Sequence, residues 1–143
     1  MIRVFAALAL ALTVIAPAAA ADTTVRLTLD GRPVDRAGGS AVLRGGVVYG
    51  DVIDLVKSFN GVLTFQGRAI VVTVNGTTAT FTAGSRTAKI GLGSVVMRGS
   101  AFLRNGDLFV PLDTFITQVA NAKLRVSPDK THADIFVNAN PLS

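Results

Sequence analysis

The single histidine of the chain, His132, lies near two aspartates. Asp129 precedes it by three residues and Asp134 follows it by two. Histidine and aspartate are common metal ligands, and residues two apart on a strand share a face. Such a strand brings only His132 and Asp134 together, whereas transition-metal sites generally use three or four protein ligands. We therefore predict an exposed polar turn after Pro128 and no metal site.

Four other aspartates form two pairs with the spacing that acid–base chemistry would need. Asp51 and Asp54 flank the start of one predicted helix, and Asp107 and Asp113 flank the start of a second. Paired carboxylates hydrolyse glycosidic bonds, but aspartate is also favoured at helix N-termini by the backbone amides there. We predict helix-start and surface charges, which leaves a wall-polymer hydrolase as the least favoured function.

Two further segments carry weak signals. Gly91-Leu92-Gly93-Ser94 is similar to a phosphate-binding loop, but no helix follows it to hold an anion, so a hairpin loop is predicted. Asn75-Gly76-Thr77 fits a glycosylation acceptor, although the demands of a tight turn explain it equally well. No serine has a histidine partner with a plausible third group, so a hydrolytic triad is not predicted. The sequence thus offers no catalytic, metal or cofactor-binding residues.

Three arginines are the most suggestive surface residues. Arg44, Arg98 and Arg104 each lie beside a glycine-rich turn. Guanidinium groups bind phosphate and carboxylate in a bidentate manner. We interpret these arginines first as solvated loop charges, and, if the fold brings them together, as candidate contacts to an anionic polymer.

The N-terminus has the form of a secretory signal peptide, predicted over residues 1–21. Arg3 supplies the positive end, and Val4 to Ile15 forms an apolar run too short to span a bilayer. Ala19-Ala20-Ala21 fits the small-residue rule for cleavage before Asp22. The sequence predicts an exported chain, periplasmic or extracellular, with no stable membrane insertion after cleavage. Its expected partners are a cell-wall or envelope polymer, or another exported protein, and not nucleic acid.

The composition favours a single compact domain. The chain has 143 residues, 50% of them hydrophobic and 16% charged, with a formal net charge of +5. All nine acidic residues are aspartates, and a long helical bundle would use glutamate on its exposed faces. Because there is no cysteine, disulfides and thiolate metal sites are excluded.

Two segments are related at a spacing of 60 residues. The stretch from Leu43 to Tyr49 recurs from Leu103 to Phe109, and a short amphipathic helix pattern follows each copy. We predict Asp51 as the N-cap of the first helix and Pro111 as the first residue of the second. The apolar positions of the two helices are Val52, Leu55, Val56 and Phe59, and Leu112, Phe115, Ile116 and Val119.

Strand patterns fill the remainder of the chain. Asp30-Gly31 and Asn75-Gly76 predict tight hairpin turns, and Thr77 to Thr82 predicts a threonine-rich strand. The fold class is α+β, mainly antiparallel twisted sheet with two short helices, in two degenerate ββαβ-type half-repeats at about residues 22–74 and 70–138. Residues 139–143 are predicted to be a loose tail. The phenylalanines assigned to the core are Phe59, Phe65, Phe81, Phe102, Phe109, Phe115 and Phe136.

Residues 22–138 resemble a known family, the copper amine oxidase N-terminal-like, or stalk-like, domain. The resemblance lies in the Val74–Ser85 hairpin, in the segment from Phe102 to Leu112, and in Asn121 to Val126. It departs from the family pattern where Asn121 replaces a helix-ending glycine. In the enzymes this domain is a non-catalytic appendage, so the resemblance implies neither oxidase activity nor copper.

These observations predict an exported, non-catalytic binding or spacer module of the cell envelope, without a cofactor. The alternative is a periplasmic protein that binds a protein partner by strand addition, through an exposed edge such as Thr77 to Thr82.

Overall fold

A computed structural model describes residues 22–34 and 40–137. The predicted signal peptide and the predicted loose tail lie outside the described residues, so both stay predictions. The strands are β1 Thr23–Thr24, β2 Arg26–Leu29, β3 Arg32–Pro33, β4 Ala41–Arg44, β5 Val47–Asp51, β6 Val62–Gln66, β7 Ala69–Val74, β8 Thr77–Thr82, β9 Thr87–Ile90, β10 Gly93–Val96, β11 Phe102–Arg104, β12 Asp107–Pro111, β13 Lys123–Val126 and β14 His132–Phe136. The helices are α1 Val52–Ser58 and α2 Leu112–Thr114, which a π-helix over Phe115–Val119 continues.

The strands form three sheets. Their orders are β1-β4-β5-β12-β11, β10-β9-β8-β7-β6 and β13-β14-β2-β3. All the pairings are antiparallel except that of β14 with β2. The predicted α+β class, mainly antiparallel with two short helices, is confirmed, whereas the internal repeat stays a prediction.

The start of α1 follows from one side chain. The Asp51 carboxylate accepts hydrogen bonds from the amides of Ile53 at 2.9 Å and Asp54 at 3.4 Å. These amides lack partners inside the helix, so an aspartate N-cap satisfies them. The helix ends at Ser58, and Asn60, two residues beyond, has a φ of 58°, the left-handed conformation that asparagine tolerates. The predicted N-cap of this helix is confirmed.

The second helix differs from its prediction by one residue at the start. Pro111 is the last residue of β12 and pairs with Tyr49 across the sheet, so the first helical residue is Leu112. The prediction of Pro111 inside the helix is therefore wrong, because sheet pairing keeps it extended. The π-helix that follows ends before Asn121, which has a φ of 53°.

The main core lies where the two helices meet the inner faces of the sheets. Phe115 is fully buried, with its ring centroid 6.4 Å from that of Phe59 and 6.1 Å from that of Phe81. At Gly50 a side chain would meet Leu55 at 2.8 Å and Leu112 at 2.9 Å, so the glycine lets both helices approach β5. Short helices such as these are stable only through packing of this kind.

One predicted core residue is exposed. Phe65 is 60% exposed, so its assignment to the core is wrong. It lies on the core-facing side of β6, opposite the buried Ile70. However, β6 is the edge of its sheet, and the core that reaches Leu63 leaves Phe65 exposed.

The threonine-rich strand is not an edge. β8, which is the predicted strand Thr77–Thr82, pairs with β7 on one side and with β9 on the other. The prediction that it offers a free edge is wrong, because its backbone groups already pair within the sheet.

In the part of the chain described, no helix is long and apolar enough to cross a membrane.

Candidate functional site

An aromatic cluster covers one face of the β1-β4-β5-β12-β11 sheet, opposite the main core. Buried Val42, Tyr49 and Phe109 form it, with Val47 and Phe102 packed against them. The Phe102 and Phe109 rings are stacked with centroids 5.5 Å apart, and Tyr49 meets Phe102 edge-on at 4.7 Å. Paired residues of an antiparallel ladder lie on one face, so the register of the sheet builds this cluster.

Two of the three predicted arginines lie over this cluster. The Arg44 guanidinium is 3.5 Å from the centroid of the Phe102 ring, and that of Arg104 is 5.7 Å from the centroid of Phe109. Cations are attracted to aromatic faces, and the planar guanidinium stacks well on them. The structure thus brings Arg44 and Arg104 together at one site, which we call the arginine pair.

One carboxylate joins the arginine pair. Asp22 accepts two hydrogen bonds from Arg44, at 2.7 Å and 2.9 Å, and its second oxygen lies 3.5 Å from Nε of Arg104. The hydrogen bond from Arg44 is the main reason that the pKa of Asp22 lies below its ordinary value. The two guanidinium groups of the site therefore converge on one carboxylate. The Arg44 side chain is 42% exposed and that of Arg104 is 29% exposed, so both reach solvent.

Arg98 pairs elsewhere. Its Nε lies 2.8 Å from the carboxylate of Asp113, beside the start of α2. Both side chains line a cleft of about 230 Å³, together with Leu112, Leu124 and Lys130. Arg98 therefore does not share the carboxylate that joins the other two arginines.

Two of the aspartates predicted as surface charges are buried. Asp51 is fully buried and Asp54 nearly so, where it accepts a hydrogen bond of 2.8 Å from Ser40 Oγ. Burial raises the pKa of Asp51 to about 6, and the hydrogen bond with Asp107 and the charges of Asp54 and Asp107 act in the same direction. The surface assignment of Asp51 and Asp54 is therefore wrong. A fully buried carboxyl that caps a helix cannot reach a polymer substrate, so this cluster does not favour the hydrolase.

The region of His132 is built as a hairpin. His132 Nε2 lies 2.8 Å from Asp134 Oδ1, and Thr28 donates a hydrogen bond of 2.5 Å to the same oxygen. Asp129 instead accepts hydrogen bonds from Ser127 and Thr131 within the turn. Among residues 22–34 and 40–137, no three histidine, cysteine, aspartate or glutamate side chains gather where they could hold a metal ion.

The Gly91–Ser94 segment forms the predicted hairpin loop. Gly91 and Leu92 make the turn between β9 and β10, and Gly93 and Ser94 begin β10.

The residue that sequence reasoning missed at the arginine pair is Asp22. Its only signal was its place directly after the predicted cleavage position.

Comparison with known families agrees with this architecture. The profile of the copper amine oxidase N-terminal domain family matches residues 28–135. The chain belongs to this family, as its resemblance indicated, and the family's domain is a non-catalytic accessory domain. Searches of the curated proteins and of the solved structures found no match.

Proposed function

We propose that this chain is an exported, non-catalytic module that binds an anionic polymer of the cell envelope through the arginine pair. The observation that supports it is that Arg44 and Arg104 contact the same carboxylate, that of Asp22, at a place where both arginine side chains reach solvent. An arriving phosphate or carboxylate group can bind the same guanidinium groups that Asp22 binds. Their positions over Phe102 and Phe109 orient both groups before any ligand arrives.

Export gives Asp22 a second role. Cleavage at the predicted position leaves Asp22 as the first residue of the processed chain, so the binding face contains the new N-terminus. The free α-amino group adds a positive charge beside the arginine pair. Mass spectrometry of the secreted chain tests this step, because the mass identifies the first residue of the chain. A first residue other than Asp22 would contradict it.

The binding experiment is co-sedimentation of residues 22–143, which include every described residue, with isolated cell-wall and outer-envelope material. We expect binding that weakens as salt rises, because exposed charges are screened. The double variant Arg44→Ala with Arg104→Ala should lose at least about tenfold in affinity. The double variant Arg26→Ala with Arg32→Ala, which removes the same two charges from exposed positions of β2 and β3, is the matched control and should change binding little.

Two further variants separate the arginine pair from general positive charge. Asp22→Asn removes the carboxylate that occupies the pair and should strengthen binding. Arg98→Ala should weaken it by less than the Arg44→Ala with Arg104→Ala variant, because Arg98 pairs with Asp113 instead. Equal losses in the Arg26→Ala with Arg32→Ala control and in the Arg44→Ala with Arg104→Ala variant would exclude the arginine pair as the binding site. Absence of sedimentation at low salt would exclude polymer binding altogether.

A further inference from the structure

The edge strands of the three sheets differ in how they are protected against pairing with another chain. Native edges are commonly protected by charge, proline or shortness. β1 and β3 have two residues each, β11 ends in Arg104, and β13 carries Lys123 and Arg125. β6 is the longest described edge, with five residues and neither charge nor proline. It also exposes two large apolar side chains, Val62 at 67% and Phe65 at 60%.

The backbone of β6 has hydrogen-bonding groups that point away from its sheet. Arg68 accepts a hydrogen bond from Ala83, so alternate residues after it along β7, beginning with Ile70, also face β8. The residues between them, which pair with Val62, Thr64 and Gln66, face β6. The amides and carbonyls of Leu63 and Phe65 therefore point outward from β6. Within the described residues no strand lies on that side.

We propose that β6 pairs antiparallel with β6 of a second copy of this chain, with Thr64 on the two-fold axis. In this register Leu63 of each copy lies opposite Phe65 of the other, which are the two residues with outward backbone groups. Four main-chain hydrogen bonds form, two for each Leu63–Phe65 pair. On the core-facing side of β6 this register brings the apolar side chains of Leu63 and Phe65 together, and on the opposite face it places Thr64 against its own copy.

Pairing with a second copy of itself suits β6 better than it suits the charged edge strands of the chain. β6 is uncharged, so its self-pairing brings no like charges together, whereas β13 or β11 would place arginine or lysine against its own copy. A two-fold pairing is also closed, so it ends at the dimer. One five-residue strand buries far less than the roughly 1,600 Å² of a standard interface, which predicts a weak, reversible dimer.

The test is the mass of residues 22–143 in solution, measured by sedimentation at physiological salt up to roughly 1 mM chain. We expect the mass to rise reversibly toward twice that of the monomer and then to level off. Thr64→Lys should raise the dissociation constant at least about tenfold, because two ammonium groups then face each other across the axis. Mixing Thr64→Lys with Thr64→Glu should restore the dimer, which is the outcome specific to this register.

Two controls make the result decisive. Thr78→Lys places the same charge on an exposed position of the interior strand β8 and should leave the dimer unchanged. Val96→Lys modifies the other uncharged edge, β10, and should also leave it unchanged. A chain that stays monomeric at the highest concentration overturns the proposal. A dimer that is unchanged in Thr64→Lys also overturns it, as does a mixture of Thr64→Lys and Thr64→Glu that stays monomeric. Assembly beyond two copies that Val96→Lys prevents would overturn it as well, because the contact would then involve β10.

Discussion

The two hairpin–helix segments of the molecule, β4-β5-α1 and β11-β12-α2, share a shape but start their helices differently. β5 and β12 are neighbours in one sheet, and each runs directly into a helical segment that is followed, two residues beyond its end, by an asparagine with positive φ. The first helix starts at Asp51, whose carboxylate caps it, whereas the second follows Pro111, which makes no side-chain cap. The comparison indicates that the sheet and the core position these helices, since the N-cap residue of one of them makes no side-chain hydrogen bond.

The difference has an electrostatic consequence. Capping by Asp51 places a fully buried carboxyl beside Asp107, and its pKa rises to about 6. Proline has no titratable group, so the N-cap residue of the second helix brings no such dependence. Two segments of similar shape therefore differ in how they respond to pH.

The largest expected effect concerns the shared core. Phe115→Ala in the second segment should lower the free energy of unfolding by about 3–5 kcal/mol, because the ring is fully buried between Phe59 and Phe81. Leu55→Ala, at the position 60 residues earlier, should cost about 2–5 kcal/mol. Urea denaturation measures both values.

A matched aromatic control is available in Phe65→Ala. Because Phe65 is 60% exposed, this change should cost less than about 1 kcal/mol in dilute solution. If the two segments depend on one core, each variant unfolds in a single transition. Separate transitions for the two segments would contradict the shared core.

The second prediction concerns pH and separates the two helix starts. Folding raises the pKa of Asp51 from its ordinary 3.8 to about 6, so the folded state binds a proton more tightly than the unfolded state does. The stabilisation is complete below about pH 4 and is lost as the pH rises through about 6. Relative to Asp51→Asn, the wild type should lose up to about 3 kcal/mol of stability between about pH 4 and about pH 7.

Asp51→Asn is the suitable reference because asparagine also caps helices. Pro111→Ala serves as the control in the second segment and should leave the pH profile of the wild type unchanged. Stability of the wild type and of Asp51→Asn that runs parallel across this range would show that the Asp51 carboxyl titrates normally. Asp22 and Asp134 have lowered pKa values, so they act below this window.

Local signals in the sequence predicted the hairpin turns and the N-cap of the first helix well. Asn75-Gly76 forms its turn with φ values of 49° and 82°, because these residue types accept positive φ at low cost. The conformation of a tight turn depends on the types of a few neighbouring residues, so the sequence is enough to predict it. The errors at Asp51 and at the Thr77–Thr82 strand have another origin, because burial and edge position depend on which strands pair across the sheet.

The candidate site was predictable in part for the same reason. Arg44 and Arg104 occupy equivalent positions in the predicted repeat, and the structure places both against the carboxylate of Asp22. Arg98 carried the same local signal, a neighbouring glycine-rich turn, but it pairs with Asp113. Asp22 could not be assigned, because its role depends on β1 pairing with β4, a contact that no local pattern encodes.

The smallest expected effect concerns the residues that follow the two helices, where the two segments are alike. Asn60 and Asn121 both adopt positive φ, at 58° and 53°. Alanine at either position should cost about 1–2 kcal/mol, because its Cβ disfavours the left-handed conformation, whereas glycine should stay within about 1 kcal/mol of wild type. Thermal or urea unfolding of the four single variants measures this. Similar costs at the two positions would show that the helix ends are equivalent although the starts are not, and a loss confined to Asn60 would show that the π-helix relieves the strain at Asn121.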